Sequence, residues 1–181
     1  KWIIMPAQGG STLPVANPYN QGNAWFVNDI RFANTPDEEI EALGKMDLRT
    51  QAVADKKFEP LLKGFNVTPK DSASTIALSS YDSNILTYNV DAKKNELAVF
   101  SEIYYPKGWQ ITIDGKPTEM LRANYTLRAL PIPQGKHTVV FEFAPKSIKV
   151  TDTIAYIALL IMLLTAGWIV WKEMKGIKAK N

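Results

Sequence analysis

The stretch IAYIALLIMLLTAGWIVW, residues 154–171, contains no charged side chain and divides the chain into two unequal parts. At about 1.5 Å per residue, a helix of this length crosses roughly the 30 Å hydrocarbon layer of a bilayer. Its apolar side chains surround the whole helix, whereas a helix on the surface of a soluble domain is apolar along one side only. The sequence therefore predicts a transmembrane helix at residues 151–171, with the lipid bilayer as its partner. The alternative is a buried core helix.

The lysines that flank this helix favour one orientation. Cytoplasmic flanks of membrane helices carry an excess of Lys and Arg. Four lysines follow the helix within ten residues, whereas Lys136, Lys146 and Lys149 precede it at a comparable distance. The bias predicts a basic cytoplasmic tail at residues 172–181 and an extracytoplasmic location for the part ahead of the helix.

Charge and cysteine content exclude several classes of function. The net charge of +3 arises from that tail alone, where four lysines oppose Glu173, so the rest of the chain is neutral. Nucleic-acid binding needs a basic face on the folded part of a protein, and we therefore expect no nucleic-acid partner. The chain has no cysteine, which rules out disulfides and thiolate metal sites.

The part ahead of the membrane helix has the pattern of a β domain. Apolar and polar residues alternate with period two, as where Val139 and Phe141 alternate with Val140 and Glu142. Strands are predicted at residues 24–32, 51–54, 75–81, 84–90, 96–104, 110–113, 125–132 and 136–143. Asp114-Gly115 is a strong signal for a tight hairpin turn. The predicted fold is mainly β, a β-sandwich of immunoglobulin-like or jelly-roll character with one short helix, followed by a single transmembrane α-helix.

The one short helix is predicted after Thr35, where Thr35-Pro36-Asp37-Glu38 matches a capping box. Ile40 and Leu43 would form its apolar stripe. Three carboxylates, Asp37, Glu38 and Glu39, lie in its first turn, near the positive end of the helix dipole. We interpret them as capping groups rather than as a metal or acid–base site.

Four segments follow from these patterns. Residues 1–22 are expected to be a linker or irregular segment, and residues 23–150 the β-rich domain. The membrane helix at 151–171 and the tail at 172–181 complete the chain. An extracytoplasmic domain of this size needs an upstream targeting element, and the first residues, KWIIM, contain none. We therefore expect the chain to be a fragment of a longer protein.

The sequence offers little catalytic chemistry. His137 is the only histidine and is expected at the surface, next to the turn at residues 133–136. No catalytic residue, metal ligand or cofactor is predicted, because the chain lacks the residues of a histidine-rich zinc site and the context of a phosphate-binding loop.

Aromatic residues are the only candidate ligand-binding groups. Tyr104, Tyr105, Trp109 and Tyr125 cluster around one predicted hairpin and could form a stacking platform for sugars or lipid headgroups. Packing in the core is the alternative that we favour, above all for Trp109, because large aromatic side chains dominate small β cores.

Several stretches of this sequence resemble the C-terminal portion of YfhO-type bacterial membrane proteins, over roughly residues 17–171. They are GNAWFV at residues 22–27, DLRTQAVAD at 47–55, FSEIYYPKGW at 100–109, IDGK at 113–116, RANYTLRAL at 122–130 and PQGKH at 133–137. The resemblance implies a polytopic GT-C glycosyltransferase of the bacterial cytoplasmic membrane. Such an enzyme transfers sugar from a polyprenyl-phosphate donor to a cell-envelope acceptor on the outer face.

The same resemblance implies that this chain carries no catalytic residue, because the acidic catalytic residues of that family belong to an extracytoplasmic loop near the N-terminus. The implied partners are the upstream transmembrane region of the same protein and a cell-envelope glycan or polyprenyl-phosphate sugar. Two roles remain open at this point. The domain is a non-catalytic module that aids acceptor binding or caps the active site, or it is a purely structural or assembly module without carbohydrate contact.

Overall fold

Two antiparallel sheets pack face to face in the computed structural model, which describes residues 2–6 and 10–178. The first sheet contains β6 (Thr75–Tyr81), β7 (Ile85–Ala92), β9 (Trp109–Ile113), β10 (Lys116–Thr118) and β13 (Gly135–Phe143), in the order β10-β9-β13-β7-β6. The second contains β3 (Ala24–Val27), β8 (Glu96–Ile103), β11 (Leu121–Ala123) and β12 (Leu127–Ile132), in the order β11-β12-β8-β3. The predicted β-sandwich is confirmed.

Three aromatic rings form the centre of the inner core. Tyr88 of β7 and Phe141 of β13 both pack edge-on against Phe100 of β8, with ring centroids 4.9 Å from that of Phe100 in each case. All three side chains are fully buried. Burial raises the pKa of the Tyr88 hydroxyl to about 12. Edge-to-face pairs add about 0.5–1.5 kcal/mol each to the free energy gained by burying their area.

An outer layer covers the other face of the four-stranded sheet. It consists of β4 (Asp29–Ala33), β5 (Gln51–Asp55), α1 (Pro36–Leu43) and a 3₁₀-helix (Lys56–Leu62). The strands β4 and β5 are parallel and α1 lies in the connection between them. Leu97 and Val99 of β8 pack against this layer, whereas Ala98 and Phe100 face the inner core. The strand β8 is therefore buried on both faces.

The prediction of a single strand at residues 24–32 is wrong, because the chain breaks at Asn28. The backbone N–H of Asn28 donates to the carbonyl of Thr50 at 2.6 Å. On one side of this break β3 pairs with β8, and on the other β4 pairs with β5 in the outer layer. The strand-like pattern of residues 24–32 is continuous, but its two halves pair with different strands that are distant in the sequence.

The helix α1 is capped as predicted but buries an unexpected residue. The hydroxyl of Thr35 accepts from the backbone N–H of Glu38 at 3.2 Å. Ile40, however, is 49% exposed, whereas Glu39 is fully buried. The interpretation of Glu39 as a capping group and the apolar stripe through Ile40 are both wrong. The covered face of α1 is directed at Arg122 of β11, which binds the Glu39 carboxylate.

A hairpin occupies part of the segment that was expected to be irregular. Its strands are β1 (Trp2–Pro6) and β2 (Thr12–Ala16). Residues 1 and 7–9 of that segment lie outside the described part of the chain. Apolar side chains such as Trp2, Ile4 and Leu13 are exposed. The hairpin has no polar face, and so it lacks the alternation by which strands are recognised.

The last element is α2 (Lys146–Lys178), a helix of 33 residues. Its part from Val150 to Lys172 is long and apolar enough to cross a membrane, and none of its central 18-residue window is buried against the rest of the protein. The transmembrane prediction is confirmed in this respect, and α2 is not a buried core helix of the described part of the chain. Only Ala144 and Pro145 separate β13 from α2, so the helix begins at Lys146, ahead of the expected start at residue 151.

Replacing Phe100 by Ala is expected to lower the free energy of unfolding by about 3–5 kcal/mol, because it opens a cavity beside two other rings. Ile103→Ala at the end of the same strand is the control, since Ile103 is 72% exposed. Urea unfolding of the full chain in detergent micelles, followed by near-ultraviolet circular dichroism, measures both. Similar losses for the two variants would contradict the described core.

Candidate juxtamembrane binding site

A pocket of about 550 Å³ opens where the β-sandwich meets α2. Tyr105 and Lys107 of the β8–β9 loop, Trp109 of β9, Phe143 of β13 and Ser147 of α2 contribute to its walls. We call it the juxtamembrane pocket, because the apolar span of α2 begins at Val150. Its aromatic walls and few polar groups are typical of a small-molecule site.

Trp109 is held in place by its neighbours. It pairs with Phe143 across β9 and β13, and their ring centroids lie 5.3 Å apart. The guanidinium carbon of Arg128 lies 4.1 Å from the centroid of the indole ring. Arg128 is buried, and its Nε donates to the carbonyl of Ile103 at 2.9 Å. This cation–π contact is shielded from water, where such contacts are strongest.

The burial of Arg128 also affects its ionisation. Burial lowers the pKa of the Arg128 guanidinium from its ordinary value. Besides Trp109, the ring of Phe141 lies near the charge, with a centroid 5.3 Å from the guanidinium carbon. Two aromatic faces thus replace part of the hydration that this cation loses in the fold. Trp109 therefore packs against the inner core, as predicted, and also lines the juxtamembrane pocket.

The loop before Trp109 is pressed against the junction with α2. Gly108 has a φ of 93°, and a Cβ added there would lie 2.8 Å from Cε2 of Phe143 and 2.9 Å from Cβ of Pro145. The carbonyl of Gly108 accepts from the backbone N–H of Ala144 at 2.8 Å. Any side chain at position 108 would therefore displace Phe143 or Pro145, which line the pocket.

Lys107 provides the positive charge of the pocket. It is exposed, and it is the one charged side chain among the described residues that line this pocket. Within residues 2–6 and 10–178 it has no carboxylate partner within ion-pair distance. An unpaired ammonium beside aromatic rings suits an anionic group attached to an apolar or sugar-like body.

The structure brings three of the four candidate aromatic residues together. Tyr105 and Trp109 line the juxtamembrane pocket, while Tyr104 and Trp109 line an adjoining pocket of about 380 Å³. Tyr104 also packs edge-on against Phe58, with centroids 5.6 Å apart. Trp109 lies between the two pockets.

Tyr125 lies elsewhere. Its backbone N–H donates to the Glu39 carboxylate at 2.8 Å, and its ring centroid lies 5.1 Å from the guanidinium carbon of Arg122. It belongs to the turn between β11 and β12, where Asn124 and Tyr125 have φ values of 50° and 68°. That turn is part of the four-stranded sheet, whereas Trp109 is in the other sheet. Proximity in sequence had suggested one cluster for all four.

A buried ion pair is the main feature that sequence reasoning missed. Arg122 Nη2 lies 2.6 Å from Glu39 Oε2 and 4.0 Å from Asp55 Oδ2. Glu39 and Arg122 are 83 positions apart, so no local pattern reveals their contact. Within the described ranges, no group of three or more His, Asp or Glu side chains could hold a metal ion. We interpret the pair as a structural link between α1 and β11.

His137 is more covered than a surface histidine, with a side chain that is 14% exposed. Its Nδ1 lies 2.7 Å from Asp114 Oδ2, and Asp114 Oδ1 accepts from the backbone N–H of Thr138 at 2.8 Å. His137 therefore lies beside the turn at the surface of the domain, with its ring held by Asp114. The hydrogen bond with His137, followed by that from Thr138, lowers the pKa of the Asp114 carboxyl. These contacts fasten the β9–β10 turn to β13.

Comparison with known proteins gives one family. The family model described as "Bacterial membrane protein YfhO" matches residues 63–155, which include the strands β6–β13 and the juxtamembrane pocket. A curated relative from Bacillus subtilis (strain 168), named "Uncharacterized protein YfhO", is 22% identical over 118 residues, which cover 65% of this chain. The match covers 13% of the length of that relative. No solved structure matches.

Gly108→Ala is expected to destabilise the domain more than Gly115→Ala. Both glycines have positive φ, so each substitution costs about 1–2 kcal/mol of backbone strain. Only at Gly108 does the added methyl group also clash with neighbouring atoms. This overpacking costs roughly a further 1–3 kcal/mol. Urea unfolding in micelles compares the two. Equal losses would contradict the tight contact between this loop and Pro145.

Asp114→Asn is expected to lower stability at neutral pH by less than about 1 kcal/mol, because Asp114 is partly exposed. Since the fold lowers the pKa of Asp114, the carboxylate stabilises the fold above its ordinary pKa of 3.8. That contribution disappears as the pH falls through the lower pKa of the folded state. Unfolding measured from pH 5 to pH 2 should show the two proteins converging.

Asp82→Asn, at an exposed aspartate after β6, is the control for general charge effects. A difference between wild type and Asp114→Asn that grows as the pH falls from 5 to 2 would contradict the assigned contacts.

Proposed function

Because the chain belongs to the YfhO family of bacterial membrane proteins, we propose that it is the C-terminal module of a polytopic GT-C glycosyltransferase. The β-sandwich lies outside the cytoplasm of a bacterial cell, and α2 crosses the cytoplasmic membrane. The module is non-catalytic. Its juxtamembrane pocket binds a polyprenyl-phosphate sugar and presents it to the active site, which belongs to the upstream part of the protein.

The observation that carries this proposal is the position of the pocket relative to the membrane span. Ser147 and Ile148 line the pocket, and the apolar span begins at Val150. At about 1.5 Å per residue, these side chains lie within a few ångströms of the hydrocarbon boundary. A lipid whose tail remains in the bilayer can therefore place its headgroup in the pocket.

The walls of the pocket suit the two parts of such a headgroup. The ammonium of Lys107 attracts a phosphate, and hydrogen bonds between charged groups are about twice as strong as those between neutral groups. The rings of Trp109 and Tyr105 offer flat apolar surfaces to a sugar. This combination supports a sugar phosphate over a simple hydrocarbon as the occupant.

The far end of α2 supports the proposed orientation. Lys172 Nζ lies 5.4 Å from the ring centroid of Trp168, and Lys175 Nζ lies 4.0 Å from that of Trp171. Aromatic residues and lysines concentrate at membrane interfaces, and lysines favour the cytoplasmic side. We therefore propose a cytoplasmic C-terminus.

A structural or assembly module is the second candidate, and the β1–β2 hairpin favours it. Trp2 and Ile4 project from one face of this hairpin and Ile3 and Met5 from the other, all of them exposed. Exposed apolar surface of this kind marks contact sites. Since the match covers 13% of the relative's length, the proposed occupant is the upstream membrane region of the same protein.

Lys107→Gln is expected to weaken binding of polyprenyl-phosphate glucose about tenfold or more, because a hydrogen bond to a charged group contributes about 1.5–3 kcal/mol. The full chain in phospholipid nanodiscs containing this lipid is the sample. Amide shifts of Lys107 and Gly108 in NMR spectra report binding. Lys63→Gln, at an exposed lysine after the 3₁₀-helix, is the matched control and should bind as the wild type does.

The absence of shifts at residues 107 and 108 would leave the assembly role as the better account. Equal binding by the Lys107 and Lys63 variants would exclude the assigned phosphate contact. Transfer or hydrolysis of the sugar by this chain alone would contradict the non-catalytic role.

A further inference from the structure

A second pocket, of about 540 Å³, lies on the outer face of the four-stranded sheet and shares no lining residue with the juxtamembrane pocket. We propose that this outer pocket binds a neutral saccharide unit. Its walls come from the segment before β3, the connection between α1 and β5, and the β11–β12 turn. The proposal rests on the proposed function for the source of the saccharide, a cell-envelope acceptor glycan.

Two aromatic side chains border the outer pocket. Trp25 is partly buried, and its indole Nε1 donates to the carbonyl of Leu48 at 3.0 Å, which fixes the plane of the ring. Tyr19 is 68% exposed and forms the rim. The guanidinium carbon of Arg49 lies 5.8 Å from the centroid of the Tyr19 ring. The pocket therefore has one rigid aromatic wall and one accessible aromatic edge.

The two charged side chains that line the outer pocket pair with each other. Arg49 binds Asp47 through two parallel hydrogen bonds, Nε to Oδ1 at 2.8 Å and Nη2 to Oδ2 at 2.9 Å. This pairing with Arg49 lowers the pKa of the Asp47 carboxyl, so both groups are ionised at neutral pH. A ligand with net charge gains no net attraction from such a pair. Hydroxyl groups, in contrast, can bond both to the outward N–H groups of Arg49 and to the remaining lone pairs of Asp47.

Asn124 adds a side-chain amide to the pocket. The residue is 6% exposed, and its Oδ1 accepts from the backbone N–H of Val53 at 3.1 Å, which fixes the plane of the amide. Asn124 lines the pocket, and its Nδ2 is a donor of the kind that binds a ligand hydroxyl.

Two further polar groups point to the same ligand class. Gln21 uses its Nε2 to donate to the carbonyl of Tyr19 at 3.1 Å, and its Oε1 is an additional acceptor at the pocket. Thr126, whose side chain carries a hydroxyl, also lines the pocket. Donors and acceptors beside aromatic surface, with the two lining charges paired to each other, match a ring that has hydroxyls at its edge and an apolar face. A pyranose has this chemistry.

The test uses the full chain in nanodiscs, titrated with glucose and with N-acetylglucosamine while NMR amide shifts are recorded. We expect saturable shifts at Gln21, Asn124 and Thr126. Tyr19→Ala should raise the dissociation constant about three- to tenfold, as expected for the loss of one aromatic contact. Tyr81→Ala is the matched control, because Tyr81 is 70% exposed and lies in β6, outside the outer pocket.

The contradicting results are equally specific. An absence of shifts at residues 21, 124 and 126 with both sugars, or equal binding by the Tyr19 and Tyr81 variants, would overturn the proposal. Glucose 6-phosphate carries the same ring with a charge, and binding more than tenfold tighter than that of glucose would contradict the assignment to a neutral ligand. Failure of the proposed function would instead remove the response of residues 107 and 108 to polyprenyl-phosphate glucose.

Discussion

Strand β8 is buried on both faces, and the arrangement of the other layers depends on it. Phe100 and Ala98 face the five-stranded sheet, while Leu97 and Val99 face the outer layer. Most strands of antiparallel sandwiches have one face in water and show simple alternation. Here a single strand supports two cores, so the sandwich and the outer layer cannot be displaced independently. The neighbouring strands β3 and β12 contribute to the outer pocket, and the loop that follows β8 contributes to the juxtamembrane pocket.

The short junction between β13 and α2 fixes the position of the β-sandwich relative to the apolar helix. Ala144 and Pro145 are the only residues between the strand and the helix, and Gly108 binds the backbone of Ala144. A flexible linker would let the domain tumble above the bilayer. The two-residue connection, with the β8–β9 loop pressed against it, fixes Trp109 next to the start of the membrane span. The juxtamembrane pocket is a direct consequence of this geometry.

Features set by local sequence could be predicted. The uniform apolar run of α2, the alternation in β13 and the Asp114-Gly115 turn each depend on neighbouring residues alone, and the structure contains all three. The cap at Thr35 is of the same kind. For the candidate site, local reasoning identified Tyr104, Tyr105 and Trp109 as a group because they lie in one loop and the strand that follows it.

Features set by distant partners could not be predicted. The local sequence predicts a capping role for Glu39, because it does not reveal the contact with Arg122 on β11. The break at Asn28 arises because β3 and β4 pair with different strands. Tyr125 leaves the aromatic group because its ring packs on Arg122 instead. The polar lining of the outer pocket comes from three separate parts of the chain, and no spacing in the sequence brings Tyr19, Asp47 and Asn124 together.

The central claim is that the β-sandwich stands directly on the membrane with the pocket beside Trp109 at the headgroup level. Paramagnetic broadening of amide signals by lipids spin-labelled in the headgroup, with the full chain in nanodiscs, tests it most directly. The account predicts strong broadening at Lys107, Gly108 and Ser147 and little at Gly22 or Asn124. Uniform broadening across the domain, or none at residues 107, 108 and 147, would contradict it.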